Sequence, residues 1–109
     1  MTVNALIEKS NLKILNLADG EREVNGGYAG DLLSWVMGRA QEDNVWVTIM
    51  TNVNVIAVAS LADVSCVVLS ENVEPDEEML AAAKSKGINL LQSEKSTFDL
   101  CGEIIEILK

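Results

Sequence analysis

From residue 21 onward, short apolar runs alternate with helical stripes in the order strand, helix, strand, helix, strand, helix, strand, helix. Parallel strands cannot be joined by a tight turn and need a crossover, usually a helix. Such alternation with short connections therefore predicts a mainly parallel sheet with helices on both faces. The predicted strands are residues 21–25, 45–50, 66–69 and 88–91. The intervening helices begin at Leu32, Val53, Pro75 and after Ser96. Ahead of them, Thr2 can cap a helix to about residue 10, and residues 13–17 alternate as a further strand. The expected fold is a three-layer α/β domain of about five strands, with residues 1–109 forming one unit.

Two of the helices carry clear end signals. Asp76, Glu77 and Glu78 follow Pro75, Lys84 and Lys86 fall in the last turn, and Gly87 ends it. Carboxylates at the start and ammonium groups at the end both suit the helix dipole. Ser96 with Asp99 three residues later resembles a capping box.

The helix over residues 53–64 differs from the others. Only Asn54, Ser60 and Asp63 interrupt a run of Val, Ile, Ala and Leu. A helix apolar nearly all round must be covered on more than one side. The expected covers are the sheet and a second subunit.

Hydrophobic residues make up 49% of the chain but aromatics only 4%, so the core must be aliphatic. Lys and Arg total 8 against 17 Asp and Glu, a formal charge of −9. An acidic surface repels phosphate backbones and anionic lipid, so neither nucleic acid nor membrane is an expected partner. The chain has no histidine, which removes the usual neutral-pH proton shuttle and the commonest transition-metal ligand. Cys66 and Cys101 lack CxxC spacing and read as buried reduced thiols. No basic leader or membrane-length apolar run is evident, and the expected location is cytoplasmic.

The segment Asn25-Gly26-Gly27-Tyr28-Ala29-Gly30-Asp31 places three glycines in five positions. Read as a loop, it sits at the carboxyl edge of the sheet, where open α/β folds bind ligands. It is not a G-x-G-x-x-G fingerprint, and no Walker lysine follows it. Asp31 reads as the cap of the next helix, so a carboxylate already occupies the positive helix end. Thr51, Asn52 and Asn54 follow the next strand, and Ser70, Glu71, Asn72, Ser93 and Ser96 the later ones. These small polar residues form a possible hydrogen-bonding rim, or cap their helices. Trp35 falls off the apolar stripe of its helix, which makes it an interface candidate.

The runs Glu21-Arg22-Glu23-Val24-Asn25-Gly26-Gly27-Tyr28-Ala29-Gly30-Asp31-Leu32-Leu33-Ser34 and Val45-Trp46-Val47-Thr48-Ile49-Met50-Thr51-Asn52-Val53-Asn54 resemble the DRTGG domain family. The resemblance implies a fold similar to the N-terminal domain of HPr kinase/phosphorylase. Such domains accompany CBS domains in some pyrophosphatases and end some phosphate acetyltransferases, as regulatory or dimerising parts. The match departs from the family pattern at Glu21, Asn25 and Asn52. The phosphoryl chemistry of the kinase belongs to a separate P-loop domain and does not transfer.

The expected function is a non-catalytic regulatory or protein-interaction module acting as a homodimer, with no cofactor and no metal. Tyr28, Trp35, Val53, Ile56, Ala57 and Ser60 are the expected dimer surface. The alternative is a sensor of a small ligand, a nucleotide among the candidates, held by Gly26, Gly27, Asp31, Thr51, Asn52 and Asn54. An enzyme working through Asp31 and Ser34 ranks third, because no histidine or nearby lysine is placed to activate the serine.

Overall fold

A computed structural model describes residues 1–109. The chain runs α1 (Val3–Ser10), β1 (Lys13–Asn16), β2 (Gly26–Ala29), α2 (Leu33–Arg39), β3 (Asn44–Thr48), α3 (Val53–Ala62), β4 (Cys66–Leu69), α4 (Glu77–Lys86), β5 (Leu90–Gln92) and α5 (Thr97–Leu108). The five strands form one sheet in the order β1-β5-β4-β3-β2. β2 to β5 are mutually parallel, and β1 runs antiparallel to β5 with Lys13 opposite Gln92.

From β2 to β5 the chain steps always in the same direction across the sheet. Right-handed crossovers then put every connecting helix on one face. That face holds α2, α3 and α4, packed over Trp46, Val67, Leu69 and Leu90. The opposite face is covered by the two terminal helices, α1 and α5, over Val45, Val47, Cys66, Val68 and Leu91. Alternate residues of β3 and β4 thus feed separate cores, and both strands are buried along their whole length. A continuous apolar run is what a strand covered on both faces requires.

Apart from the start of α2, helix ends follow the chemistry read from sequence, with small shifts. The Thr2 hydroxyl accepts from Ala5 N and the Ser96 hydroxyl from Asp99 N, both at 3.1 Å. The Asp76 carboxylate accepts from Met79 N at 2.7 Å, so α4 starts at Glu77 and Pro75 lies just outside it. Gly87 closes α4 with φ +69°, a left-handed conformation that costs a glycine nothing.

Two expectations fail. Residues 21–25 do not form the second strand; the glycine segment does, pairing Gly26, Gly27, Tyr28 and Ala29 with Asn44, Val45, Trp46 and Val47. Glycine weakens a strand in isolation, but here the close approach to β3 selects it. A Cβ on Gly27 would lie 3.0 Å from Val45 Cγ1 and 3.2 Å from the Val45 carbonyl oxygen. Residues 21–25 are instead held at the amino end of the sheet. There Arg22 bonds the carboxylates of Asp43 and Asp63, and Val24 N donates to Met1 O at 2.7 Å.

The second failure concerns α3. It is the central helix of its layer, lying between α2 and α4 above the sheet. Its neighbours and the sheet cover the side of the helix that carries Val55, Ile56, Val58 and Ala59. Ile56, expected on the dimer surface, is fully buried against the chain's own core. Asn54, Ala57, Ser60 and Leu61 form the outward stripe of the helix.

Candidate functional site

The carboxyl ends of the parallel strands form a polar rim, and most of its side chains are committed to the fold. Asp31 does not cap α2; the N-cap position is Leu32, which makes no side-chain cap bond. The Asp31 carboxylate instead accepts from the Thr48 hydroxyl at 2.7 Å and from Ile49 N at 3.2 Å. It therefore fastens the end of β2 to the end of β3. Trp46 reinforces this join, its indole N–H donating to Gly30 O at 2.9 Å. Asn52 caps α3 by accepting from Asn54 N at 2.9 Å. Thr51 is half-buried and Asn54 exposed.

The expected ligand set is not brought to one place. Gly26 and Gly27 pair with Asn44 and Val45, at the amino end of β3, whereas Thr51, Asn52 and Asn54 lie beyond its carboxyl end. Asp31 lies at that carboxyl end, with its bonds directed into β3. Asp31 and Ser34 make no hydrogen bond to each other; the Asp31 partners are Thr48 and Ile49. No group of three or more Cys, Asp or Glu side chains converges as metal ligands would.

Of the expected interface residues, Tyr28 and Val53 are half-buried, while Trp35, Ala57 and Ser60 are exposed. The Trp35 ring is stacked by the Arg39 guanidinium, 4.0 Å from its centroid. Such a cation–π pair satisfies one ring face on the chain's own helix.

Two concavities take in a few of the expected residues, Gly27 and Tyr28 in one and Asn72 and Ser93 in the other. One is an apolar groove of about 190 Å³ between β2 and α5, walled by Gly27, Ala29, Val47, Cys101, Ile104 and Ile105. The absence of side-chain bulk at Gly27 and Ala29 creates it, because both face α5 next to Val45 and Val47. Cys101, expected to be buried, is only half-buried and opens onto this groove. Its thiol pKa is raised by the apolar surroundings. Cys66 is fully buried, and desolvation pushes its thiol up to about 12.

The other is an open polar cleft of about 620 Å³ beside β5. Its walls are the end of α1, the start of β1 and the loops after β4 and β5. The strap joining those two loops is backbone: Glu71 N donates to Lys95 O at 2.8 Å and Asn72 N to Ser93 O at 2.9 Å. Both Glu71 and Asn72 are held left-handed, at φ 61° and 57°. At one flank Glu103 accepts from the Ser10 hydroxyl at 2.5 Å and pairs with the Lys95 ammonium. Those two hydrogen bonds hold the Glu103 carboxyl below its ordinary range. Ser93 was legible as a rim residue, but Lys13 and Ser10 were not, since only the antiparallel pairing of β1 brings them to the carboxyl edge.

No curated protein matches the chain. Among solved structures it is similar to the CBS and DRTGG domains of the regulatory region of Clostridium perfringens pyrophosphatase, described in complex with the activator diadenosine tetraphosphate. The TM-score is 0.73 at 12% identity, over 95% of this chain and 46% of that one. The chain thus spans less than half the length of that structure, and the likeness establishes a common fold. No helix is long and apolar enough to cross a membrane. The family described as HPr Serine kinase N terminus matches residues 41–108, from just before β3 to the end of α5. With more than half of its length matched, the chain belongs to the HPr Serine kinase N terminus family, of the DRTGG type.

Proposed function

We propose that residues 1–109 act as a single non-catalytic regulatory module in the cytoplasm, working as a homodimer joined through β2 and the groove beside it. The observation that carries this reading is the state of the β2 edge. β2 pairs only with β3 and forms one margin of the sheet. Exposed edges are normally blunted by lysine, proline or a bulge. The segment from Asn25 to Gly30 contains no charged residue and no proline, and its pairing with β3 runs in unbroken register. Beside it lie the apolar groove and Ile105, 57% exposed. A net charge of −9 opposes contact between most surfaces of two copies. An uncharged edge strand with an apolar flank is where that repulsion is weakest, and antiparallel pairing about a two-fold axis would continue the sheet.

Sedimentation velocity over a concentration series tests the reading. The expected result is a dimer at micromolar concentration that Ile105→Lys or Ala29→Lys converts to monomer. A wild-type monomer throughout that range overturns it. A dimer untouched by those variants but broken by Trp35→Ala or Ala57→Glu moves the interface to the α2–α3 face.

A nucleotide sensor is the second reading, favoured by the complex of the Clostridium pyrophosphatase regulatory region with diadenosine tetraphosphate. That structure contains CBS domains as well as a DRTGG domain. Stabilisation of this chain by diadenosine tetraphosphate, lost on substitution of Thr51 or Asn52, supports it; a flat thermal response sinks it.

A further inference from the structure

We infer that the polar cleft beside β5 is a binding site for a small zwitterion of the amino-acid type. Its position is the first reason. The connection leaving β4 goes to α4 on one face of the sheet, and the one leaving β5 goes to α5 on the other. Adjacent connections that part to opposite faces make the crevice in which open α/β sheets take their ligands. This is the only pair of neighbouring parallel strands in the sheet whose connections part in this way, because α2, α3 and α4 share a face.

The second reason is a buried polar side chain aimed into the cleft. Gln92 is 4% exposed and lines the cavity. Its amide nitrogen donates to Val73 O at 2.7 Å, which fixes the amide and leaves Oε1 as an acceptor with no partner in the chain. No buried side-chain oxygen of the chain lacks a partner, so Oε1 is open to solvent and free to accept from a donor in the cleft.

The third reason is the charge pattern. Lys13, Glu74 and Glu94 line the cleft and make no ion pair within the chain, while Lys95 is taken up by Glu103. The C-terminal, negative end of α1 also opens there at Ser10 and Asn11. Two free carboxylates, a helix C-terminus and the Gln92 acceptor favour an ammonium. The free Lys13 ammonium favours a carboxylate beside it. Leu12 is the one hydrophobic residue of the lining, so no aromatic platform is present for a nucleobase.

A thermal-shift and calorimetric screen of the free amino acids tests this, with N-acetylated and amidated forms of each responder and with putrescine. At least one free amino acid is expected to raise Tm by several degrees, through preferential binding to the folded chain. Its N-acetyl form should have no effect. The double variant Glu74→Gln/Glu94→Gln should weaken binding roughly tenfold or more, the loss expected for charge-assisted bonds. Lys13→Met should weaken it as well. Glu77→Gln/Glu78→Gln, on the outer face of α4, should leave it unchanged. All five side chains are exposed, so folding is not at risk. Absence of any response across the amino acids overturns the assignment. So does a response that survives Glu74→Gln/Glu94→Gln, or one reproduced by putrescine and weakened equally by the α4 variant, which marks a general attraction to an acidic surface. Sedimentation reads the dimer separately, so either proposal can fail alone.

Discussion

Asp31 and Thr48 form the join between the edge strand and the interior of the sheet, the Thr48 hydroxyl donating to the Asp31 carboxylate at 2.7 Å. Thr48 is 1% exposed, so its hydroxyl has no ready access to water when the carboxylate is removed. Leaving such a group unsatisfied costs about 1–2 kcal/mol. Asp31→Ala should lower unfolding stability by that amount, whereas Asp31→Asn keeps one acceptor and should cost less. Urea denaturation measures both. Amide exchange of β2 should accelerate in Asp31→Ala ahead of the rest of the sheet, because the end of β2 loses its anchor to β3.

The two strand glycines should respond unequally to the same substitution. A Cβ on Gly26 would meet Asn44 Nδ2 at 3.4 Å, an ordinary contact, and on Gly27 it would meet Val45 at 3.0 and 3.2 Å. One of those Val45 atoms is a backbone oxygen inside the β2–β3 ladder and cannot move alone. Gly26→Ala should be neutral or slightly stabilising through the unfolded state, by less than about 1 kcal/mol. Gly27→Ala should destabilise by about 1–3 kcal/mol, as overpacking does. Equal midpoints for the two variants would show that β2 shifts freely to accept the methyl.

The contrast between Gly27 and Asp31 shows what the sequence made legible. The layer order follows from strand–helix alternation alone, because handedness leaves the crossover helices few places to go. The glycine segment was misread because strand propensity is a statement about isolated backbone, and the close approach to Val45 is tertiary. Asp31 was misread for a related reason: one residue decides whether a carboxylate reaches a helix N-terminus or the neighbouring strand. The apolar α3 signalled that it needed cover, but not whose. The polar cleft was half legible, with Asn72 and Ser93 placed on the rim by their strands. Its other wall depends on the antiparallel return of β1 beside β5, a long-range pairing with no local signature.

Acid should report on the Glu103 contacts. The carboxyl is held below the ordinary glutamate range by the Lys95 and Ser10 hydrogen bonds. A folded-state pKa below the unfolded one contributes stability above the unfolded value and loses it as pH falls through the folded value. Lys95 and Glu103 side chains are 42% and 30% exposed, so solvent screens the pair and its contribution should not exceed about 1 kcal/mol. Glu103→Gln should therefore flatten part of the stability slope just below pH 4.5. The difference from wild type should shrink in high salt. A parallel offset at every pH would show that the glutamate acts through packing alone.

The two thiols should differ sharply in reactivity, and the difference also reads the groove. Cys66 is buried with its thiol pushed up to about 12, so at pH 8 roughly one part in ten thousand is thiolate. Cys101 is half-buried, its pKa also raised, but it opens onto the groove beside β2. A disulfide reagent on native protein should therefore label Cys101 alone, slowly, and reach Cys66 only on unfolding. Cys101→Ser should abolish native labelling. If two copies meet through β2, Cys101 becomes less accessible as concentration rises, and its labelling rate should fall across the range in which sedimentation records the dimer. Ile105→Lys should remove that concentration dependence. A Cys101 rate independent of concentration, in a protein that sediments as a dimer, would place the contact away from the groove.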